Sequence, residues 1–312
     1  MGYEFHIEVQ KDLADYTHIF FIDLFSDNFF KKIYFYLNKK HVYNTYLEIK
    51  KKNLLHKVFV LLSESPIVKP WNYKLEYHQG IGRFFTWDKQ LVDNKKYFHY
   101  HVPFGDTAKE FECDFNKRKL LMDISGNKFS SEENELYSFR RNTIQYLDKN
   151  YENDFDLYGF FWGSDFITKL KLLVRYGKLS MYNYQTYKGL VDNKSDVISQ
   201  YKYVICYENV QYNDYISNRI FDIFVNGSIP IYCGPSNIYE YIPKGTFINR
   251  TEFSSDEELM IYIKTIDEME YLKILLNIQQ FLKTKSYEDF TSKGFVQKIL
   301  TGLNVANDGK RE

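Results

Sequence analysis

The 312-residue chain carries 41 basic and 41 acidic side chains, 44% apolar residues and three cysteines, Cys113, Cys206 and Cys233. The charge balance leaves no global field to recruit nucleic acid or anionic lipid, so any anion site must be local. The odd cysteine count without a CxxC spacing predicts reduced, buried thiols, and with no signal peptide and no apolar run of bilayer length the expected setting is the cytoplasm.

The length suits two ordinary domains or one large α/β domain. Residues 17–25, "THIFFIDLF", read as a strand and "NFFKKIYFYLNKK" as a helix. "HKVFVLLSESP" is a strand ending at Glu64, Ser65 and Pro66, and "RFFTWD" and "YFHYHVPF" are further strands. An irregular charged stretch from Lys109 to Lys119 predicts a crossover between lobes. "KLLMDIS" then starts a new strand, "ENELYSFRRNTIQYLDKNY" is an amphipathic helix, and "FDLYGFF" and "YKYVICYE" are strands. A helix from Ser217 runs through Ile220, Phe221, Ile223 and Phe224 to Gly227, with Ser217 as N-cap and Gly227 as the C′ residue. "SIPIYCG" and "TFINR" continue the alternation, two helices at about 256–283 and 287–300 follow, and "NDGKRE" reads as a frayed tail. Strands alternating with helices predict parallel sheets, here two doubly wound lobes with a cleft between them and ligands at the carboxyl ends of strands.

Several site motifs are absent: there is no Walker loop, HExxH or GxSxG, and "GIGRFF" is half a dinucleotide fingerprint. His99 and His101 lie i, i+2 on a strand and read as a packed pair rather than metal ligands. Asp154-Phe155-Asp156 has the DxD form of metal-dependent sugar transferases but reads as a turn at a strand entry, so no metal is expected. Tyrosine and phenylalanine are abundant, 29 and 27, through compositional bias or for stacking on sugar rings. The informative anomaly is Arg219, a cation in the first turn of a helix whose dipole disfavours it by about 0.3–1 kcal/mol. An anion such as phosphate at that helix start resolves the conflict, as does a carboxylate on a neighbouring helix.

The stretch "YKYVICYENVQYNDYISNRIFDIFVNGSIPIYCGPSNIYEYIPKGTFI" resembles the signature of glycosyltransferase family 10, the α1,3/4-fucosyltransferases. "SESP" at 63–66 is similar to the family's Glu-Ser-Pro, "FDLYG" to its hydrophobic-Asp-x-Tyr-Gly strand, and "TWDKQLVDNKKYF" and "TYKGLVDNK" to bacterial members. The resemblance implies a GT-B fold, with residues 1–118 as an acceptor lobe and 119–312 as the nucleotide-sugar lobe with its C-terminal helices. Because "YEFHIEV" is similar to the family's second strand, the first strand–helix unit is expected to be missing. The implied activity is inverting, metal-independent transfer of fucose from GDP-fucose to a glycan hydroxyl, in an α1,3-type linkage. The acceptor is an oligosaccharide or a lipid-linked or lipopolysaccharide sugar, with peripheral membrane contact left open. No cofactor and no nucleic-acid partner are implied.

Carried onto this sequence, Arg219 and Arg140 (with Arg141 as the neighbouring candidate) grip the donor diphosphate, in place of a metal. Glu208, Asn209, Tyr215, Ser217 and Asn218 fall on donor-pocket positions, and Glu64 on the acceptor-side general base. Glu208 reads equally as a strand-end carboxylate capping the next loop, and Glu64 also as a plain loop acid. The signature Thr-Glu-Lys is Ser217-Asn218-Arg219 here. Arginine keeps the charge and adds a bidentate fork, whereas asparagine loses a carboxylate directed at donor hydroxyls. That loss keeps open two other readings, a catalytically weak donor-binding relative and a transferase for another GDP-deoxysugar.

Overall fold

In the computed structural model, residues 12–26, 39–105, 114–178 and 182–308 are described, with side chains through Leu303. Residues 28–38 of the expected helix and 109–113 of the expected crossover fall outside these residues, as does "YEFHIEV".

The chain forms two units, Met1–His101 with Val296–Glu312, and Val102–Phe295. In the first, β1 (Ile19–Ile22), β2 (Val58–Leu62), β3 (Arg83–Thr86) and β4 (Tyr97–His99) pair in parallel in sequential order, with helix α1 (Lys40–Lys51) between β1 and β2. β2 is buried on nearly every residue, as a central parallel strand covered on both faces requires. Val58, Val60, Leu62, Phe84 and Ile49 centre its core.

In the second unit, β5 (Lys119–Ile124), helix α2 (Tyr137–Asn150), β6 (Phe155–Tyr158), helix α3 (Phe166–Tyr176), β7 (Tyr187–Gly189), helix α4 (Lys194–Ile198) and β8 (Tyr201–Tyr207) follow one another. Helix α5 (Arg219–Val225), β9 (Ile229–Cys233) and β10 (Ile248–Asn249) complete the sheet, and α6 (Asp256–Thr265), α7 (Glu268–Phe281), α8 (Lys285–Glu288) and α9 (Ser292–Asp308) close the chain. The sheet order is β10-β9-β8-β5-β6-β7, all parallel. Read from β7, this is the doubly wound order 3-2-1-4-5-6, with its switch point between β5 and β8. Tyrosines 201, 203, 207, 232 and 271 are buried, so much of the aromatic surplus packs the core.

Three details depart from the sequence expectations. The boundary lies at Val102 rather than 119, because the Phe104 N–H donates to the Phe290 carbonyl at 2.6 Å and its ring packs on Phe221. Helix α9 runs through Asp308 instead of fraying at 307, and from Val296 onward it belongs to the first unit. There the Arg83 guanidinium donates to the Gly302 carbonyl, and a Cβ at 302 would meet the Phe85 ring at 2.6 Å. The expected helix at 256–283 is two helices, because Ile266 is extended and the Asp267 side chain caps a new start by accepting from Glu270 N–H at 2.8 Å. The 287–300 helix is likewise divided, into α8 and α9.

Candidate active site

The carboxyl ends of β5 and β8 diverge at the switch point, and a cavity of about 220 Å3 opens there. Its walls include Ser125, Gly126 and Lys128 after β5, Gly159 and Phe160 after β6, Lys194 on α4, Cys206 on β8, and Arg219 and Asp222 on α5. The loops after β5 and β6 are held together by their backbones. Gly159 has φ +116°, and a Cβ there would lie 1.9 Å from the Ser125 carbonyl oxygen, which accepts from Trp162 Nε1 at 2.8 Å. Three cations against one carboxylate make the lining positive. Burial pushes the Asp222 carboxyl up, opposed by Lys194 and Arg219. It pushes the Cys206 thiol well above its ordinary value, so this cysteine is no nucleophile.

Helix α5 begins at Arg219, two residues later than expected, with Asn218 in the cap position and no side-chain cap. Ser217 Oγ lies 3.5 Å from Arg219 N, at the limit of a hydrogen bond. The other end matches the expectation: Gly227 has φ +70°, its N–H reaches the Phe224 carbonyl at 3.1 Å, and Ser228 N–H reaches Ile223 at 3.3 Å. The Arg219 guanidinium turns toward the end of β8, donating to the Tyr207 carbonyl at 2.9 Å and to Asn209 Oδ1 at 3.2 Å. A cation thus sits on a carbonyl dipole, which relieves the conflict with the helix dipole without a carboxylate partner.

Of the expected donor residues only Arg219 lines the cavity. Arg140 on α2 is 1% exposed, and its guanidinium donates to the Tyr207 and Gly126 carbonyls at 3.2 and 3.4 Å. Burial, reinforced by the charge of Arg219, pulls its pKa down to about 10. Arg141 is half-buried, donates to the Lys128 carbonyl at 2.8 Å and stacks on Phe129 at 4.0 Å. Glu208 is fully buried, and its Oε1 accepts from Ser217 N–H at 2.9 Å and Tyr232 OH at 3.1 Å, the loop-capping role. Burial raises its pKa, against the pull of Arg219. Glu208 Oε2 and Asn218 Oδ1 are buried with no hydrogen-bond partner among the described residues. Tyr215 is buried away from the cavity lining. Asp123 at the end of β5 escaped the sequence reading. It is buried beside Ser125, its Oδ2 accepting 2.5 Å from Ser125 Oγ, and burial raises its pKa against the pull of Arg140. A polar residue near the end of an otherwise apolar strand was the available signal.

Glu64 belongs to the first unit. Its N–H donates to Asp23 Oδ1 at 3.2 Å and its carbonyl accepts from Tyr73 OH at 2.7 Å. Asp23, in the left-handed region at φ +63°, also accepts from Ser63, Lys69 Nζ and Asn72. The DxD carboxylates are neutralised by lysines, Asp154 by Lys264 at 2.5 Å and Asp156 by Lys119 at 2.9 Å and Lys188 at 3.2 Å. They flank the amino end of β6, away from the cavity at the strands' carboxyl ends. His99 and His101 pack edge to face at 4.7 Å, and no group of three or more potential metal ligands is assembled among the described residues.

Two parallel α/β units, the second with a cationic cavity at its switch point, define a GT-B fold, and solved structures of that fold are similar to it. TarM aligns at TM-score 0.52 over 79% of this chain and 50% of its own, at 12% identity. The trehalose 6-phosphate synthase of Burkholderia multivorans aligns at TM-score 0.50 over 81% and 67%, at 9% identity. Residues 164–293 match the model of glycosyltransferase family 10 (fucosyltransferase) C-term. That match covers under half of the chain, and residues 164–293 are the part that is similar to glycosyltransferase family 10. An 88-residue stretch, 27% of this chain, is 35% identical to 24% of the mouse 4-galactosyl-N-acetylglucosaminide 3-alpha-L-fucosyltransferase 9. A 75-residue stretch, 24% of this chain, is 40% identical to 16% of the Helicobacter pylori alpha-(1,3)-fucosyltransferase FucT. The matched stretches thus span a quarter or less of these relatives.

Proposed function

We propose that the protein is an inverting, metal-independent fucosyltransferase that moves fucose from GDP-fucose to a hydroxyl of a glycan acceptor, in an α1,3-type linkage. The observation that carries the reading is the meeting of Arg140 and Arg219 at the end of β8, beside a cavity whose lining is net positive. A nucleoside diphosphate brings the negative charge this arrangement leaves unmatched. As the C–O bond to GDP breaks, charge develops on the leaving phosphate, and a fixed guanidinium stabilises it without reorganising. Loss of one such group costs ~2.7–4 kcal/mol of barrier. Arg219 faces the cavity and is assigned the direct contact, with Arg140 behind it. Glu64 is assigned the proton of the acceptor hydroxyl, Asp23 holding its loop.

The test is calorimetric titration with GDP and UDP, followed by GDP release from GDP-fucose with and without oligosaccharide acceptors. Tight GDP binding with acceptor-stimulated release supports the reading, and absence of GDP binding sinks it. Asn218 favours one alternative, a catalytically weak donor-binding relative, because an amide with an unpartnered buried oxygen replaces the signature carboxylate. GDP binding without release is the result that reading expects.

A further inference from the structure

We propose that helix α3 seats the protein on an anionic lipid surface, an inference independent of the transfer reaction. Its sequence is Phe166-Ile167-Thr168-Lys169-Leu170-Lys171-Leu172-Leu173-Val174-Arg175-Tyr176. Only Leu172 is buried, while Phe166, Ile167, Leu170, Leu173 and Val174 are all exposed, Phe166 at 78% and Val174 at 81%. Scattered apolar residues on a surface are ordinary, but a contiguous set on one element marks an interaction site. At about 100° per residue the five fall within an arc of roughly 120°. Lys169 flanks one edge of that arc and Lys171 the other, with Arg175 beyond it and Lys178 just past the helix end.

No acidic residue occurs from Phe166 to Lys178. An apolar stripe edged by cations, lying along the surface, is the geometry of helices that rest in the interfacial plane of a bilayer. The helix is fixed before any surface is met: Asp165 accepts from Thr168 N–H at 2.9 Å, and Gly177 closes the end at φ +63°. Its inner side holds to the domain through Leu172 and through Tyr176, whose ring packs on Phe129 and Phe161.

Charge selects the occupant. Two copies packed face to face through this stripe set Lys169, Lys171 and Arg175 against their own like, whereas lipid phosphates neutralise them. Another helix with exposed apolar residues, α7, carries Met269, Leu272 and Leu276 alongside Glu268 and Glu270, and has no such complementarity. The whole chain is neutral, so the attraction is local to α3.

The test is co-sedimentation of the full chain with phosphatidylcholine vesicles, with and without phosphatidylglycerol. Wild type should bind the phosphatidylglycerol vesicles at low salt and be released as salt is raised. Lys171→Glu with Lys178→Glu should weaken that binding by at least about five-fold per cation. Phe166→Ser with Val174→Ser should abolish binding at unchanged melting temperature, since both side chains already face solvent. Failure of wild type to bind, or full binding by the Phe166/Val174 variant, overturns the proposal. So does sedimentation equilibrium showing a wild-type dimer that the same variant dissociates, because the stripe would then cover a second copy.

Discussion

Arg140 and Arg219 donate to one acceptor, the carbonyl oxygen of Tyr207, from 3.2 and 2.9 Å. Two guanidinium groups this close repel, and the side-chain hydrogen bonds of both go to carbonyl and amide oxygens rather than to carboxylates. The nearby Asp123 and Glu208 are themselves pushed toward the neutral form by burial. The folded chain therefore holds concentrated positive charge at a strand end, which an anion would relieve.

The two arginines should separate experimentally. Arg219→Ala should weaken GDP binding by roughly 10- to 150-fold, the loss of one charged hydrogen bond worth about 1.5–3 kcal/mol, with a small change in melting temperature. Arg140→Ala empties a buried position and leaves the Gly126 carbonyl short of a donor, so it should destabilise the fold by about 1–3 kcal/mol. Calorimetry paired with thermal melts measures both. Unchanged GDP affinity in the two variants would place the phosphate site elsewhere.

Transfer should survive EDTA, since the guanidinium groups are assigned the charge-neutralising role and the DxD carboxylates are engaged by lysines. Complete loss on chelation, restored by Mn²⁺ or Mg²⁺, would reinstate Asp154 and Asp156 as ligands.

Glu64→Gln should leave donor affinity nearly intact and slow transfer by at least ~10²-fold, the lower range for general base catalysis. Asp23→Asn should slow transfer less and lower the melting temperature, because the Asp23 carboxylate ties down Ser63, Lys69 and Asn72. Near-normal transfer by the Glu64 variant would move the base to another carboxylate.

Glu208 predicts a pH dependence of stability. Its folded pKa is raised above the ordinary 4.5, chiefly by burial. The folded state then binds the proton more tightly than the unfolded one, so its stabilising contribution is complete below 4.5 and is lost as pH rises through the folded value. Urea unfolding of wild type and Glu208→Gln should show the wild-type advantage shrinking as pH increases above that range. An advantage that grows instead would mean that Arg219 keeps Glu208 ionised.

Much of the second unit was legible because its signals are local. The apolar run of β8, the helical spacing of Ile220, Phe221, Ile223 and Phe224, and the glycine at 227 each act within a few residues. Helix α3 was missed, since outward-facing leucines and valine imitate a core pattern with no core to face. The break at Asp267 was missed because Ile263, Tyr271 and Leu275 continue an apolar pattern across it, and only the capping bond shows the interruption. Arg140 was preferred to Arg141 through the family resemblance alone, since the two neighbours share their chemistry. On a helix they point about 100° apart, one into the core and one along the surface.

The sequence by itself determined the alternation of elements, the family signature and the candidate cations, because periodicity, capping and motif spacing are properties of neighbouring residues. Only the tertiary structure decided which of them meet. The doubly wound order sets the end of β5 beside the end of β8, with β6, β7 and three helices intervening along the chain. That crossing brings Arg140 to the carbonyl of a residue 67 positions later, and no local rule encodes it. It also decided that Arg219 faces the cavity while Glu208, Tyr215 and Arg140 lie buried behind its wall, since strand order and packing, not spacing, choose what reaches a ligand.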